Sequence, residues 1–253
     1  MSKRFHPRKL IIFLFWITIW QLAGMAVDND IVLVGPGDVV CSFVSLLPTA
    51  DFWHRVGFSA LRILTGFVLA VTVGLLLGAC GARWRWFGTL VGPVMQLIRA
   101  MPVASFVILA LLWVSGKNLS VIVSFTHVLP VVYAGTVGGI ADTDPALLEM
   151  AKVYRLPLGK RLRYIWLPGM FPSFYESCIA AMGMCWKSGV SAEVIGLPDH
   201  SVGDALYRAK ITISTPEVFA WTLVIVLLSA TLSTLAAWAL RRAKRALCGE
   251  VEG

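Results

Sequence analysis

Long stretches of the chain contain many apolar residues and no charged ones. Four such runs approach the about 20 residues that a helix needs to cross a bilayer, and two further apolar runs contain isolated charges. Continuous runs of this length predict spanning helices, so we expect an all-α polytopic bundle of about six transmembrane helices in one domain, residues 1–253. The predicted spans are about residues 10–27, 60–82, 87–114, 118–141, 172–196 and 217–240.

The composition supports a membrane protein. Hydrophobic residues make up 58% of the chain, charged residues only 14%, and the mean hydropathy is +0.78, whereas a soluble domain is about one quarter charged. The net charge of +8 comes from residues beside the apolar runs and not from a basic patch interleaved with aromatic residues. We therefore expect no nucleic-acid partner.

The Lys and Arg residues are distributed unevenly between the two sides of the predicted bundle. Of the 22, 15 fall in the connections that share a side with both termini, four fall in the others, and three lie within spans. The positive-inside tendency therefore places both termini in the cytoplasm. A signal peptide over residues 1–26 is the competing interpretation, because Lys3 and Arg4 precede an apolar stretch. We favour a span, since the apolar core from 10 to 27 is long for a signal.

The sequence contains no motif that predicts a bound metal or nucleotide. The five cysteines form no Cys-x-x-Cys pair, and no His-x-x-x-His partner accompanies them. Gly116-Lys117 and Gly159-Lys160 both lack the earlier glycine of a phosphate-binding loop. We therefore expect the chain not to be an enzyme and to bind no cofactor itself, so any nucleotide chemistry would belong to another polypeptide.

The stretch from about 142 to 171 is long, basic and patterned as a helix. Asp142-Thr143-Asp144 supplies an acidic or threonine N-cap before Pro145, and Pro157 is expected to end the helix. Apolar residues recur at spacings of three and four and predict one apolar face: Leu147, Leu148, Ala151 and Tyr154. A short amphipathic helix of this kind either lies among lipid headgroups or docks into a groove of a partner protein.

This loop contains a recognisable pattern. Glu149-x-Ala151, followed by Ile165-x-Leu167-Pro168, resembles the signature loop of bacterial ABC-importer permeases, in which Glu-Ala-Ala, a glycine and Ile-x-Leu-Pro follow one another. Met150 replaces the second residue of that pattern and Arg155 replaces its glycine. Because the glycine permits a turn between two short helices, Arg155 must either adopt the same backbone conformation or reshape the turn.

The resemblance extends from about residue 32 to residue 240 and is closest to the nitrate/sulfonate/taurine-type permeases. The segments that match in order and spacing are 33–39, 59–67, 74–78, 97–102 and the pair Ala192-Glu193. This agreement is specific for the family but not for the substrate. Nitrate, sulfonates, taurine and organic molecules such as pyrimidine precursors all remain open, and an anion is one candidate.

The resemblance implies a permease subunit of an ATP-driven importer in the bacterial cytoplasmic (inner) membrane. Its implied partners are a cytoplasmic ABC ATPase dimer that uses ATP and Mg²⁺, an external solute-binding protein, membrane lipid and a second permease subunit. We favour a copy of this chain over a homologous chain as that second subunit. The coupling loop would transmit ATPase closure to the spans. The residues expected to dock the ATPase are Leu148, Glu149, Ala151, Lys152, Tyr154, Arg155, Leu167 and Pro168.

Four residues within the charged spans are candidates for the translocation path or a gate: Arg99, Pro102, Lys187 and Glu193. A charge at membrane depth costs a few kcal/mol and normally faces a bundle interior or a water-filled path. Lys187 either attracts an anion, extends its charged group toward the membrane interface, or pairs with a carboxylate such as Glu176. Glu193 either lines the path, pairs between helices or lies near the outer interface. Arg99 either forms a constriction beside a kink at Pro102 or satisfies the carbonyls that the proline frees.

Two other classes of protein remain as alternatives. A secondary transporter driven by an ion gradient would predict inverted repeats and paired acidic sites, and the sequence has no internal repeat. A membrane scaffold or intramembrane enzyme would predict clustered His, Asp and Glu residues. His127 has no such neighbour and is expected to be a hydrogen-bonded core residue. Dependence on an ATPase partner distinguishes the importer from both alternatives.

Overall fold

The structure, a computed structural model, describes residues 7–27 and 33–248. In these two ranges every regular element is a helix. The helices are α1 (Pro7–Val27), α2 (Pro36–Leu46), α3 (Ala50–Arg83), α4 (Arg85–Ala100), α5 (Val103–Ala110), α6 (Gly116–Ala141), α7 (Pro145–Val153), α8 (Leu158–Arg161), α9 (Leu167–Gly196), α10 (Val202–Ile211) and α11 (Thr215–Cys248), with a π-helical turn, Leu162–Trp166, between α8 and α9.

Three of the described helices are long and apolar enough to cross a membrane by themselves: α3, α6 and α11. They contain the predicted spans 60–82, 118–141 and 217–240. A fourth span results if the bent pair α4 and α5 is counted as one. The all-α membrane architecture is therefore confirmed, whereas the count of six spans is not. α9 is long enough but contains three charged residues, and it starts at Leu167, inside the predicted loop.

The predicted span 87–114 is not one helix. α4 ends at Ala100, α5 starts at Val103, and the two axes differ by 101°. Pro102 has no N–H to donate and disfavours helical backbone at the residue before it, and Met101 accordingly has a ψ of 128°. The kink predicted at Pro102 is therefore a complete break, and the second helix ends at Ala110.

α6 lies at the centre of the bundle, between α3 and α9. Buried apolar side chains from these three helices form the main core, among them Ile63, Phe67, Val128, Val132, Cys178 and Trp186. α3 approaches α6 closely at Gly78, where an added Cβ would lie 2.6 Å from the Cβ of Thr136. This contact leaves no room for a side chain, so the close packing of α3 on α6 requires glycine here.

Short helices cover both ends of this bundle. α10 lies in the predicted outer loop 197–216 and packs on α3, α9 and α11. α2 packs on α11 near the same end. α7, α8 and the π-helical turn lie at the opposite end, between α6 and α9 in the chain. The candidate functional residues lie at these two ends, along α9 and at the break between α4 and α5.

Candidate functional site

α7 begins where the sequence predicts a helix start. The side chain of Asp144 accepts a hydrogen bond from the N–H of Ala146 at 2.8 Å, and Pro145 occupies the first helical position. The Asp144 side chain satisfies one of the free N–H groups at the helix N-terminus. Pro145 has no N–H group that would need a partner. The predicted N-cap is therefore confirmed and assigned to Asp144.

α7 ends in a Schellman motif and not at Pro157, which follows the helix end. The N–H of Leu156 donates to the carbonyl of Ala151 at 3.0 Å, and the N–H of Arg155 donates to the carbonyl of Lys152 at 3.1 Å. This motif requires a left-handed backbone at the residue after the C-cap. Arg155 occupies that position, with a φ of 48°.

Arg155 thus adopts the backbone conformation that glycine provides in the related loop pattern. The sequence left two alternatives for Arg155: it adopts the backbone conformation of glycine, or it reshapes the turn. The structure shows the first alternative, because the turn is retained and Arg155 has a left-handed backbone. The left-handed conformation costs a residue with a Cβ roughly 1–2 kcal/mol, since the Cβ crowds the following carbonyl oxygen. The Arg155 side chain is exposed on the far side of this turn.

The apolar residues predicted to form one face of α7 differ in exposure. Ala151 is only 1% exposed and Leu148 is half-buried, so these two residues attach α7 to the bundle. Leu147 and Tyr154 are exposed, on the side that also presents Met150. One part of the apolar face of α7 is therefore buried and the other part is exposed.

We call the exposed residues of α7, its C-terminal turn and the start of α8 the coupling surface: Leu147, Glu149, Met150, Lys152, Val153, Tyr154, Arg155 and Leu158. Four of the eight predicted docking residues belong to it, namely Glu149, Lys152, Tyr154 and Arg155. The other four are buried or half-buried: Leu148, Ala151, Leu167 and Pro168. Contiguous exposed apolar residues rimmed by charges are typical of a protein interaction site.

A cavity separates the coupling surface from the membrane bundle. It has a volume of about 510 Å³, and Leu148 of α7 lines it together with Leu75 and Arg83 of α3. Trp166 and Met170 complete its apolar wall. The inward face of α7 and the last turns of α3 therefore border the same space.

One face of α9 presents polar residues to the outside of the bundle. Glu176, Lys187 and Ser191 are all exposed, and at about 100° per residue they lie within about 60° of one another around the helix. Lys187 is three turns from Glu176, about 16 Å along the axis. The pairing of these two side chains considered from the sequence is therefore wrong within this chain.

Lys187 lines a groove of about 510 Å³ between α9, α10 and α11. Ser191 and Thr222 contribute further polar atoms, and Leu206 of α10 borders the groove at one end. In the described part of the chain, Lys187 forms no ion pair. An uncompensated cation beside hydroxyl groups at membrane depth is typical of a path for polar solutes.

Arg99 occupies the last turn of α4, directly before the break at Pro102, and both residues are exposed. Among the residues that the structure describes, Arg99 has no hydrogen-bonding or ionic partner. It does not satisfy the carbonyls freed by the proline, so that alternative is wrong. The guanidinium is therefore available to a solute or to another subunit.

Glu193, in contrast, is fully buried. The hydroxyl of Ser59 on α3 donates a hydrogen bond to its Oε2 at 2.6 Å, and the N–H of Gly203 on α10 donates to the same atom at 3.4 Å. Ser59 also accepts a hydrogen bond from the N–H of Val202 at 2.9 Å. Glu193 and Ser59 together hold the N-terminus of α10. Of the roles considered from the sequence, this geometry is that of interhelical pairing.

Several buried polar atoms around Glu193 have no partner within the described residues. They are Glu193 Oε1, the hydroxyls of Ser120 and Ser124, and one terminal nitrogen of Arg62. Arg62 stacks over Phe58 with its guanidinium carbon 3.8 Å from the ring centroid, and it is partly buried and not a free interface residue. Buried polar groups without hydrogen bonds of normal geometry are costly to the folded state.

A second junction, which the sequence did not reveal, ties α10 to α3. Asp204 is 5% exposed and accepts from Arg55 at 2.9 Å and from Arg208 at 2.9 Å. Arg55 also pairs with Asp51, one turn earlier on α3. Arg55 and Asp204 are 149 positions apart in the chain, so no local pattern signals the pair.

His127 is a hydrogen-bonded core residue, as predicted. Its Nδ1 lies 2.9 Å from the carbonyl oxygen of Val123, one turn earlier on α6. Its ring packs edge-on against Phe106 of α5, with centroids 6.2 Å apart. Across residues 7–27 and 33–248, no group of three or more His, Cys, Asp or Glu residues is arranged to hold a metal ion.

Several long apolar helices joined by short amphipathic helices define a polytopic membrane protein. The chain belongs to the family described as the binding-protein-dependent transport system inner membrane component, which matches residues 54–247. It is accordingly a multi-pass inner-membrane protein.

Three relatives illustrate the branch of this family. The aliphatic sulfonates transport permease protein SsuC of Bacillus subtilis is 27% identical over 207 residues, which cover 81% of this chain and 74% of that one. The nitrate import permease protein NrtB of Synechococcus elongatus is 24% identical, with 93% and 88% covered. The taurine transport system permease protein TauC of Escherichia coli is 21% identical, with 92% and 86% covered. The chain is an ABC permease of the nitrate/sulfonate/taurine type, and the resemblance found in the sequence is confirmed.

Proposed function

We propose that this chain is the permease subunit of an ATP-driven importer, in which it forms the path for a small solute delivered by an external binding protein. The observation that carries the proposal is the coupling surface. It combines exposed apolar residues such as Met150 and Tyr154 with the charges of Glu149 and Lys152. The Schellman turn at Arg155 ends α7 within the coupling surface.

A cytoplasmic ABC ATPase dimer docks on this surface. The exposed stripe of α7 supplies apolar anchors for a groove in the ATPase, and Glu149, Lys152 and Arg155 supply charges at its rim. The ATPase holds ATP and Mg²⁺, and this chain holds no cofactor. The coupling surface therefore lies in the cytoplasm, together with both termini.

The translocation path follows the exposed polar face of α9, completed by a second copy of the chain. Lys187, Ser191 and Arg99 are exposed at membrane depth, where contact with lipid would cost several kcal/mol. A second permease subunit covers this face and encloses a water-filled path. The cations Lys187 and Arg99 favour an anionic solute in that path.

Glu193 acts at an outer gate formed by α10. Its carboxylate and Ser59 hold the N-terminus of α10, while Arg55 holds Asp204 in the next turn. Movement of α3 relative to α9 separates Ser59 from Glu193 and releases α10. Glu193 thus holds the gate in its closed position and does not contact the solute.

Copurification tests the proposal. The tagged wild-type chain and the Glu149→Arg variant are extracted from the native membrane in mild detergent, and copurifying proteins are identified by mass spectrometry. We expect an ATPase with a phosphate-binding loop to accompany the wild type and to be lost from the variant. Glu217→Arg is the matched control, because Glu217 is an exposed glutamate at the opposite end of the bundle, and it should retain the ATPase.

Each other outcome has a defined meaning. An ATPase that stays bound to Glu149→Arg contradicts the docking surface and leaves the importer class standing. If no ATPase is recovered even after cross-linking, the importer mechanism is wrong, and a secondary transporter or a membrane scaffold becomes the better hypothesis. Loss of the ATPase from both variants would show a general effect of charge reversal and would contradict the role of Glu149.

A further inference from the structure

The C-terminal part of α11 carries a concentrated group of basic residues directly after its apolar stretch. Arg241, Arg242, Lys244 and Arg245 follow one another within five positions, and all four are exposed. Three of them line a cavity of about 540 Å³ together with Thr234 and Trp238: Arg241, Arg242 and Arg245. This cavity lies at the boundary between the apolar and the charged part of the helix.

Two of the three guanidinium groups are oriented by their surroundings. The guanidinium carbon of Arg242 lies 5.4 Å from the centroid of the Trp238 ring, and stacking on an aromatic face fixes the plane of such a group. The Nε of Arg241 donates to the carbonyl of Ala237 at 3.2 Å, which leaves its two terminal nitrogens free. Both side chains present donors toward the cavity.

No carboxylate lines this cavity among the residues that the structure describes. Among the described residues, Glu176 lines an adjacent cavity with Arg241 and Lys244, and it forms no ion pair with either. The basic group is therefore not neutralised within the described chain. Guanidinium forks of this kind match the oxygen atoms of phosphate and can bind them in pairs.

An apolar stripe continues from the cavity along the same face of α11. Leu227, Thr231, Thr234 and Trp238 are exposed at spacings of three and four residues. The hydroxyl of Thr231 donates to the carbonyl of Leu227, and that of Thr234 donates to the carbonyl of Ala230 at 2.8 Å. Because both hydroxyls donate within the helix, the threonines present mainly their methyl groups, and together with Leu227 and Trp238 they offer a surface suited to a hydrocarbon chain.

We propose that this end of α11 is a binding site for one anionic phospholipid. The phosphodiester lies between Arg241, Arg242 and Arg245, the Trp238 ring lies at the level of the headgroup, and an acyl chain lies along Leu227 and Thr231. A basic cavity at the inner end of a spanning helix is suited to such a headgroup. A free phosphate ion would use the arginines but not the apolar stripe. This proposal rests on the proposed function in one respect: the cytoplasmic position of the C-terminus decides which leaflet supplies the lipid. Binding itself does not depend on that orientation.

Native mass spectrometry of the intact, extracted transporter tests this site. The delipidated protein is titrated with phosphatidylglycerol, with phosphatidylethanolamine and with inorganic phosphate. We expect one phosphatidylglycerol per chain to bind more tightly than phosphatidylethanolamine, and inorganic phosphate not to displace it. In the variant R241Q/R242Q/R245Q the affinity for phosphatidylglycerol should fall about a hundredfold, because the loss of each positive charge weakens binding about fivefold.

A matched control removes the same charge elsewhere on the same side of the bundle. Arg85, Lys160 and Arg163 are exposed and do not line the cavity, so R85Q/K160Q/R163Q should change the affinity less than about fivefold. An equal loss in both triple variants would show that only overall charge matters and would overturn the proposal. Competition by inorganic phosphate would overturn the lipid as ligand.

A charge-conserving variant keeps the test decisive if the neutral variant fails to insert. R241K/R242K/R245K retains the basic residues that set topology but removes the planar forks. Its affinity for phosphatidylglycerol should fall at least about fivefold, because lysine contacts phosphate through a single nitrogen. Unchanged affinity in this variant would contradict the guanidinium–phosphate geometry. None of these measurements involves the ATPase, so they can fail without affecting the proposed transport function.

Discussion

The hydroxyl of Ser59 lies 2.6 Å from the Glu193 carboxylate, and these two residues are 134 positions apart in the chain. The same hydroxyl accepts a hydrogen bond from the N–H of Val202 at 2.9 Å, so one serine connects α3, α9 and α10. Both Ser59 and Glu193 are fully buried. Their hydrogen bonds therefore persist without competition from water, and breaking them requires the helices to move apart.

Removal of the Ser59 hydroxyl tests this connection. In Ser59→Ala, a buried carboxylate oxygen and the N–H of Val202 both lose their partner, so the free energy of unfolding should fall by about 1–3 kcal/mol. Thermal unfolding in detergent measures the effect. Ser45→Ala is the control, because the Ser45 hydroxyl bonds only to the carbonyl of Ser42 at an exposed site. Equal stability of the two variants would contradict the role of Ser59.

The two arginines that flank Asp204 should differ in their contribution to stability. The side chain of Arg55 is 15% exposed, and Arg55→Met should lower the free energy of unfolding by about 1.5–3 kcal/mol, because it leaves a nearly buried carboxylate short of a partner. The side chain of Arg208 is 61% exposed, so Arg208→Met should cost less than about 1 kcal/mol. Urea or thermal unfolding compares them, and the reverse order would show that α10 is not held mainly through α3.

Replacing Arg155 by glycine should stabilise the coupling loop. Glycine adopts a φ of 48° without crowding a Cβ, so Arg155→Gly should raise the free energy of unfolding by about 1 kcal/mol. Arg155→Val should lower it, since a branched side chain suits this backbone poorly.

The neighbouring Lys152 supplies the control for this substitution. Lys152 is also exposed and cationic, but it lies within α7. Lys152→Gly should therefore destabilise the protein by about 1 kcal/mol. Hydrogen exchange of the amides of residues 151–156 would localise both effects. A destabilised Arg155→Gly variant would show that the side chain of Arg155 outweighs its backbone strain.

Loss of the Lys187 charge should impair transport but not folding. Lys187 is exposed in the groove between α9, α10 and α11, so Lys187→Gln should reduce uptake of an anionic solute about tenfold or more while membrane insertion stays unchanged. Uptake of labelled nitrate or an alkylsulfonate into proteoliposomes measures this. Lys117→Gln, in the first turn of α6, should have little effect. Unchanged uptake in Lys187→Gln would remove Lys187 from the path.

The sequence predicts what local patterns determine. Apolar runs predict the helices α3, α6 and α11, and Asp144 with Pro145 predicts the start of α7. Packing between distant residues was not predictable from these patterns. The contacts of Ser59 with Glu193 and of Arg55 with Asp204 join parts of the chain that carry no shared signal.

Errors in the prediction arose where backbone chemistry or packing overrides periodicity. The break at Pro102 divides a span that hydropathy alone presents as continuous. The apolar residues of α7 fit one face by spacing, yet the bundle covers only Leu148 and Ala151. Which stripe of an amphipathic helix is covered depends on the position of its neighbours, and a single sequence does not contain that position.

The uninterrupted length of α3 has a mechanical consequence. Its 34 residues extend over about 51 Å. Arg55 near one end contacts Asp204 of α10, and Arg83 at the other end lines the cavity beside Leu148 of α7. Its middle contacts α6 closely at Gly66, where an added Cβ would lie 2.5 Å from the carbonyl oxygen of Val121. A stiff rod that tilts about a fixed midpoint moves its two ends in opposite directions. A push on α7 toward the bundle would therefore swing the far end of α3 outward, so that opening at one face accompanies closing at the other.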